Sequence, residues 1–281
     1  MAAAAAVQCA VEPAPLLRGE EAGEGTAIVL CHGLTATRRY VVHGSRALER
    51  AGHRVVSYDA RAHGESDPAP VGEGYGYPQQ VADLERVVAA RLAPEQKFLL
   101  AGNSMGAQTA VAYALRHPER LAALVVIGPV FTGTVDPESL ADWDRLATAL
   151  ETGGVDAFVE RIGEKQPDSP RRDSVLRFTR ERMLLHRHLG ALARALREVP
   201  ASPPFESLAE LESLQVPALV VASHDEADPG HPYAAAAAYA EALPQAQLIS
   251  EGEGESPLAW QGGRLSRHID SFYSEALLSS L

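Results

Sequence analysis

Lysine is almost absent from this chain: of its 25 basic residues only Lys97 and Lys165 are lysine, and arginine supplies the rest. Acidic residues number 37, so the net charge is -12 and the basic stripe that a nucleic-acid partner requires is missing. Cysteine is scarce as well. Cys9 lies near the start and Cys31 sits inside an apolar run, so no structural disulfide is expected. No uninterrupted apolar run approaches membrane-spanning length, and the alanine-rich start lacks the basic segment of a secretory signal. These absences point to a cytoplasmic protein with neither a membrane nor a nucleic acid as partner. Metal-ligand spacing is missing too, since His186 and His188 lie two apart and face different sides of a helix. The glycines at 102 and 106 lack the Lys-Ser/Thr ending of a phosphate-binding loop, so neither a metal nor any other cofactor is expected.

What is present is ordinary globular composition, 46% hydrophobic and 22% charged, over 281 residues, enough to bury a large core. From Thr26 onward strand and helix patterns alternate, as in a mostly parallel sheet covered on both faces. Strands are expected at Ala27–Cys31, Arg54–Tyr58, Phe98–Leu100, Leu121–Ile127, Val216–Ala222 and Ala246–Ser250. Helices are expected at Val41–Arg50, around Val81–Leu92, at Ala107–His117, at Tyr233–Leu243 and around Leu265–Leu277. Between about Phe131 and Phe205 the pattern is helical only. Asp136-Pro137 opens the first helix there, Gly153-Gly154 closes it, and Leu176 to Leu196 carry a longer one. Residues 1–130 and 206–281 therefore read as one α/β core, with 131–205 as an inserted helical cap.

The most informative stretch is Lys97-Phe-Leu-Leu-Ala-Gly-Asn-Ser-Met-Gly-Ala-Gln, which sets Ser104 between Gly102 and Gly106 at a strand-to-helix junction. So tight a turn forces the serine into strained backbone geometry and leaves no room for a Cβ at the flanking glycines. A serine held there needs a base for its proton, a group to orient that base, and donors for a developing oxyanion.

His32-Gly33-Leu34 follows a buried strand, and with the Gly-x-Ser-x-Gly turn it resembles the α/β-hydrolase superfamily over nearly the whole chain. That resemblance implies an α/β-hydrolase fold with a mostly parallel twisted sheet, and an oxyanion hole formed by the Leu34 and Met105 N–H groups. His32 itself can simply brace the loop. Asp59-Ala-Arg-Ala-His-Gly-Glu-Ser66 is similar to a family loop that holds the neighbourhood of the serine in place. Val220-Val-Ala-Ser-His-Asp225-Glu-Ala-Asp-Pro229 resembles the family segment that carries the acid and selects Asp225, with Asp228 and Glu226 as neighbours one slip away.

Where family members carry the histidine, after the last strand, this chain reads Gly252-Glu-Gly-Glu255-Ser-Pro257. Glu255 occupies the position, and His268, about a dozen residues further into a helix, is too remote. The base is thus Glu255, acting beside Asp225, or His224 or His231 from the acid loop, or His63 or His32 from the front, or absent. Arg38 and Arg39 read as a solvated helix start. The implied activity is a serine hydrolase acting through Ser104 on a small carboxylic ester, lactone or related acyl compound. The alternative is a weakly catalytic or non-catalytic ligand-binding homologue, motivated by Glu255 alone.

Overall fold

The computed structural model describes residues 6–168, 171–225, 228, 230–253 and 255–279. Its frame is one eight-stranded sheet: β1 (Val7–Val11), β2 (Leu17–Ala22), β3 (Thr26–Cys31), β4 (His53–Tyr58), β5 (Phe98–Asn103), β6 (Leu121–Ile127), β7 (Ala218–Val221) and β8 (Ala246–Ile249). The order across the sheet is β1-β2-β4-β3-β5-β6-β7-β8. Pairing is antiparallel for β1 with β2 and β2 with β4, and parallel from β4 to β8.

The parallel strands are the apolar runs of the sequence, because a strand covered on both faces has no solvated side to mark with polar residues. Side chains alternate between two cores. Ala27, Val29, Phe98, Leu100, Leu124 and Val126 meet helices α2 (Tyr77–Arg91), α3 (Met105–Arg116) and α7 (Tyr233–Ala242). Ile28, Leu30, Leu99, Ala101 and Val125 meet α1 (Ala47–Arg50) and α8 (Gly262–Ser279). Phe98, Leu99 and Leu100 are wholly buried, and each contributes about 1.5–3 kcal/mol by leaving water. Among the described residues no helix is long and apolar enough to cross a membrane.

Three departures from the periodic pattern have local causes. The β1–β2 hairpin, which the sequence does not announce, is polar because it caps the sheet edge, with Glu20 and Glu21 held by Arg39 and Arg54. The helix expected over 41–50 shrinks to Ala47–Arg50, since positive φ at His43 (46°) and Gly44 (71°) breaks the turn before it. Arg38 and Arg39 lie on a short 3₁₀ turn rather than a solvated helix. Arg38 is buried against Asp59 and also reaches Glu65, because Asp59 has no access to water and needs a counter-charge.

Between β6 and β7 the described residues form three α-helices, α4 (Pro137–Lys165), α5 (Arg172–Met183) and α6 (Leu189–Glu198), and a 3₁₀ turn at Leu208–Ser213. Asp136 caps α4, accepting from the Glu138 and Ser139 N–H groups at 3.1 Å. Gly153-Gly154 kinks α4 without ending it, Gly154 taking φ 68° and ψ -155°. The single long helix expected over 176–196 is two, α5 and α6, separated at residues 184–188. Their apolar faces enclose Leu150, Phe158, Met183, Leu192 and Leu196, and Leu34 of the core packs against them.

The break between α5 and α6 lowers His186 onto the core. Its Nδ1 accepts from the Gly64 N–H at 2.9 Å, so its Nε2 carries the proton and donates to the Thr35 carbonyl at 3.1 Å. His32 and His63 lie behind it, with ring centroids 5.0 Å apart and His63 5.5 Å from His186. Burial keeps all three neutral, lowering His32, lowering His63 further with help from its histidine neighbours, and taking His186 down to about 4.

An unfolded histidine titrates near 6.5, so the unfolded chain takes up protons before the folded one as pH falls. The His186 contribution is fully present above about pH 6.5 and is lost between there and about pH 4. That displacement corresponds to about 3 kcal/mol. Thermal melts should therefore show stability dropping from pH 7 to 4.5, with a shallower drop in His186→Gln, which hydrogen-bonds without titrating. An unaltered slope in that variant would remove His186 from the account.

Candidate active site

Strand order turns back between β3 and β5: from β3 the chain crosses to β4 on one side and then to β5 on the other. At such a switch point the loops leaving the carboxyl ends of the two strands diverge and open a crevice. His32-Gly33-Leu34 leaves β3 there and Ser104 leaves β5, Cys31 lying level with Gly102 in the register.

Ser104 has φ 52° and ψ -113°, a strained conformation for a non-glycine residue, between the end of β5 and the first residue of α3. The strain is held by close backbone packing. A Cβ at Gly102 would collide with the Gly106 carbonyl, and one at Gly106 with the carbonyls of Cys31 and His32. The Ser104 N–H is itself taken by Ile127 O at 2.9 Å. These contacts fasten the serine turn to both neighbouring strands, so the side chain has little freedom to relax.

The loop after β3 is fastened from the other side. His32 Nδ1–H donates to Gly33 O at 2.8 Å while its Nε2 accepts from the Ala60 N–H at 2.9 Å. Its part is therefore bracing, and both nitrogens are used. A Cβ on Gly33 would stand 3.3 Å from the Ser104 Cβ, which measures how closely this loop approaches the serine. Met105 opens α3, so its N–H is one of those that no intrahelical carbonyl takes. The side chains of Leu34 and Met105 pack beneath α6 with Ala195 and Val199.

Asp59 organises the loop after β4. Its carboxylate accepts from Arg38 N at 2.8 Å, from the Arg38 guanidinium and from Glu65 N at 3.0 Å, while the Ser66 hydroxyl donates to its carbonyl at 2.6 Å. Arg61 is clamped by Asp83 through two bonds of 2.7 and 2.9 Å. His63 turns away from Ser104: Nδ1–H donates to Arg61 O at 2.9 Å, and its ring lies among His32 and His186.

The group that meets Ser104 comes from the loop after β7. His231 Nε2 lies 2.8 Å from Ser104 Oγ, and His231 Nδ1 lies 2.9 Å from each oxygen of Asp228. An ionised carboxylate only accepts, so Nδ1 carries the proton and Nε2 is left to accept from the serine hydroxyl. Burial pushes the Asp228 carboxyl up. The bond and charge of His231, the nearby Arg182 charge and the Gly230 N–H outweigh it and hold the group below its ordinary value.

Two successive turns shape this loop, with Asp228 N bonded to Asp225 O at 3.0 Å and His231 N to Asp228 O at 3.1 Å. They put Asp228 and His231, three residues apart, on one side. Pro232 then starts α7 and fixes the exit of the loop. Gly128, at the end of β6 with φ 53°, makes room for the imidazole, since a Cβ there would press on its Cδ2 at 3.2 Å.

Two sequence expectations are therefore corrected in position. Glu255 is not beside Ser104. It is exposed, folds back to accept from Gly252 N at 3.0 Å, and pairs with Arg264 at 2.5 Å, which with the Gly252 bond holds its carboxyl below the usual range. Asp225 does not hold the histidine. Its carboxylate faces Arg171 at 3.5 Å, while its N–H donates to Ser223 Oγ. His224 stacks on Tyr233 with ring centroids 4.1 Å apart, and His268 is exposed on α8. Glu226 lies outside the described residues.

Glu251, to which the sequence draws no attention, joins the two loops. It is buried and accepts from Ser223 Oγ at 2.9 Å, His224 N at 2.6 Å and Leu258 N at 3.1 Å. Burial raises its carboxyl, but these bonds more than offset that and leave it lowered. The sequence signal for His231 was its spacing from Asp228, an Asp-x-x-His pair ahead of a helix. Nothing in that spacing says which way the loop turns.

The model of the alpha/beta hydrolase fold family matches residues 26–261. A Variovorax paradoxus protein named for carbamate hydrolysis, RutD, is 27% identical over 205 residues, 73% of this chain and 75% of its own length. Epoxide hydrolase B of Mycobacterium tuberculosis is 36% identical over 110 residues, which are 39% of this chain and only 30% of that protein. A thermophilic esterase from Thermogutta terrifontis superimposes with a TM-score of 0.79 at 24% identity, covering 97% of this chain and 99% of its own. With the family model spanning most of the sequence and the same eight-stranded architecture beneath it, this chain belongs to the α/β-hydrolase family.

Proposed function

We propose that the protein is a serine hydrolase that cleaves a small carboxylic ester, lactone or related acyl compound through an acyl-enzyme on Ser104. The observation that carries this reading is the continuous chain from Asp228 through His231 to Ser104 Oγ. It supplies the orienting acid and the base for which the position of Glu255 offered no ordinary group. The likeness to an esterase in fold and to a hydrolase in sequence supports the same class.

Ser104 Oγ attacks the acyl carbon as His231 Nε2 takes its proton, and Asp228 stabilises the imidazolium that forms. The carbonyl oxygen becomes an oxyanion, for which the Leu34 and Met105 N–H groups are the donors in this proposal. His231 then returns the proton to the departing alcohol, leaving an ester on Ser104. Water, deprotonated by His231, attacks that ester, and its collapse releases the acid and restores the serine. Helices α4 to α6 over the crevice act as a cap that shapes the pocket and limits water. Asp225 and Glu255 take no step.

The non-catalytic alternative is motivated by the missing histidine after β8, and the contact of His231 with Ser104 favours the catalytic reading over it.

A fluorophosphonate probe should label Ser104 rapidly, and labelling should vanish in Ser104→Ala. His231→Ala should lower kcat for a short activated ester by a factor on the order of 10⁴–10⁶. A wild-type protein that resists the probe would overturn the hydrolase reading.

The two acid positions separate by the same assay. Asp228→Asn should cost a factor of about 10³–10⁴ in kcat by disturbing the histidine tautomer. Glu255→Ala should remain within about threefold of wild type, because its partners are exposed. The reverse ranking would return the catalytic role to the loop after β8.

A further inference from the structure

At the break between α5 and α6 the inserted helices reach the loop that leaves β3, and they do so through His186. The imidazole is buried, and both ring nitrogens are spent on core backbone: Nδ1 accepts from the Gly64 N–H and Nε2–H donates to the Thr35 carbonyl. On the Gly64 side the tie is doubled. The Arg187 N–H donates to Gly64 O at 3.1 Å, and the Arg187 guanidinium pairs with Glu65. The bond to Thr35 has a different task.

Residues 33–36 form a tight turn, closed by the Ala36 N–H on Gly33 O at 3.0 Å. Thr35, in the third position, has φ 70° while Leu34 keeps a negative φ, which is the combination of a type II turn. Glycine accepts that third position without strain; a β-branched residue is an outlier there and persists only where its surroundings impose it. Three contacts impose it here. Thr35 is buried, the Leu34 side chain is gripped by apolar residues of the insertion, and His186 fixes the Thr35 carbonyl at 3.1 Å.

A turn of this kind spends its hydrogen bond on the N–H of its fourth residue, so the Leu34 N–H is left outside it. That N–H is the oxyanion donor of the mechanism proposed above, and Gly33 beside it stands against the serine. Without the His186 bond Thr35 is drawn back toward negative φ. The Leu34–Thr35 peptide then rotates toward the type I arrangement, and the Leu34 N–H loses its fixed place relative to Ser104. A displaced donor loses its effect in the transition state and costs little in the ground state.

We infer, resting on the serine hydrolase reading and its use of Leu34, that His186 is a positioning residue for the oxyanion hole. By holding the Thr35 carbonyl it keeps the Leu34 N–H in place, so the hole is complete only while the inserted helices are seated.

Side chains at position 186 separate anchoring from positioning. Glutamine presents an acceptor and a donor at nearly the span of the two ring nitrogens, whereas asparagine is long enough for Gly64 and too short for Thr35. With 4-nitrophenyl butyrate, below the melting temperature of each protein, His186→Asn and His186→Ala should lower kcat by a factor of about 10² and leave KM within about threefold. His186→Gln should return kcat to within about fivefold of wild type. The inhibitor 1,1,1-trifluorooctan-2-one bonds its carbonyl carbon to Ser104 Oγ as His231 takes the serine proton, and its oxygen becomes the oxyanion. Its affinity should fall in His186→Asn by the same factor as kcat/KM. Thr35→Gly removes the strain, and in that background His186→Asn should cost less than about fivefold in kcat.

A kcat for His186→Asn close to wild type, a loss confined to KM, or the same cost in the Thr35→Gly background would overturn the inference. If His186→Ala does not fold, the asparagine and glutamine variants carry the comparison. Wild-type protein that neither cleaves the ester nor takes the fluorophosphonate overturns the hydrolase reading and His186 with it. An active wild type matched by His186→Asn overturns the role of His186 alone.

Discussion

The approach of two backbones, Gly106 against the carbonyls of Cys31 and His32, is the constraint on which the site depends. It presses the serine turn onto the loop leaving β3, and at Gly106 only a residue without a Cβ permits it. Everything with chemical potential is measured from that contact. Ser104 is held at positive φ, the loop at Gly33 lies close against it, and Met105 starts a helix whose first N–H has no intrahelical acceptor. The strain is sustained by buried apolar strands on either side, since β5 loses all its water-exposed surface at Phe98, Leu99 and Leu100.

Around this fixed point the chain uses buried polar groups as fasteners. Asp59 with Arg38, Arg61 with Asp83, His32 with Gly33 and Ala60, and Glu251 with Ser223, His224 and Leu258 each tie one loop to the next. Every one is a case in which leaving one partner alone would bury an uncompensated group, so the loops hold together or fail together. His186 extends the same logic to the helical insertion, joining it to Thr35 and Gly64. The insertion is thereby coupled to the loops near the serine and not merely laid over them.

The legible parts of the sequence were those with a strong local cause. Apolar runs announced the parallel strands, because burial on both faces admits few other residues. Gly102 and Gly106 announced the serine turn, because sterics demand them. Less legible were the polar hairpin of β1 and β2, whose acids are masked by arginine partners, and the break between α5 and α6, where the apolar spacing continues across a change of direction. Arg38 read as solvated because its sequence neighbours are polar, whereas its companion, Asp59, lies 21 residues away.

By itself the sequence determined the parallel strands and the place of Ser104, since each follows from residue type over a few positions. It could not choose among Asp225, Asp228, Glu255 and the histidines. Which of them meets Ser104 is a matter of tertiary structure: two turns in the loop after β7 bring His231 across 127 residues of chain to Ser104, into space left by Gly128. The physical reason is that a loop side chain's direction depends on turn geometry and on what the opposing strand leaves empty. Neither is written in the periodicity of the loop.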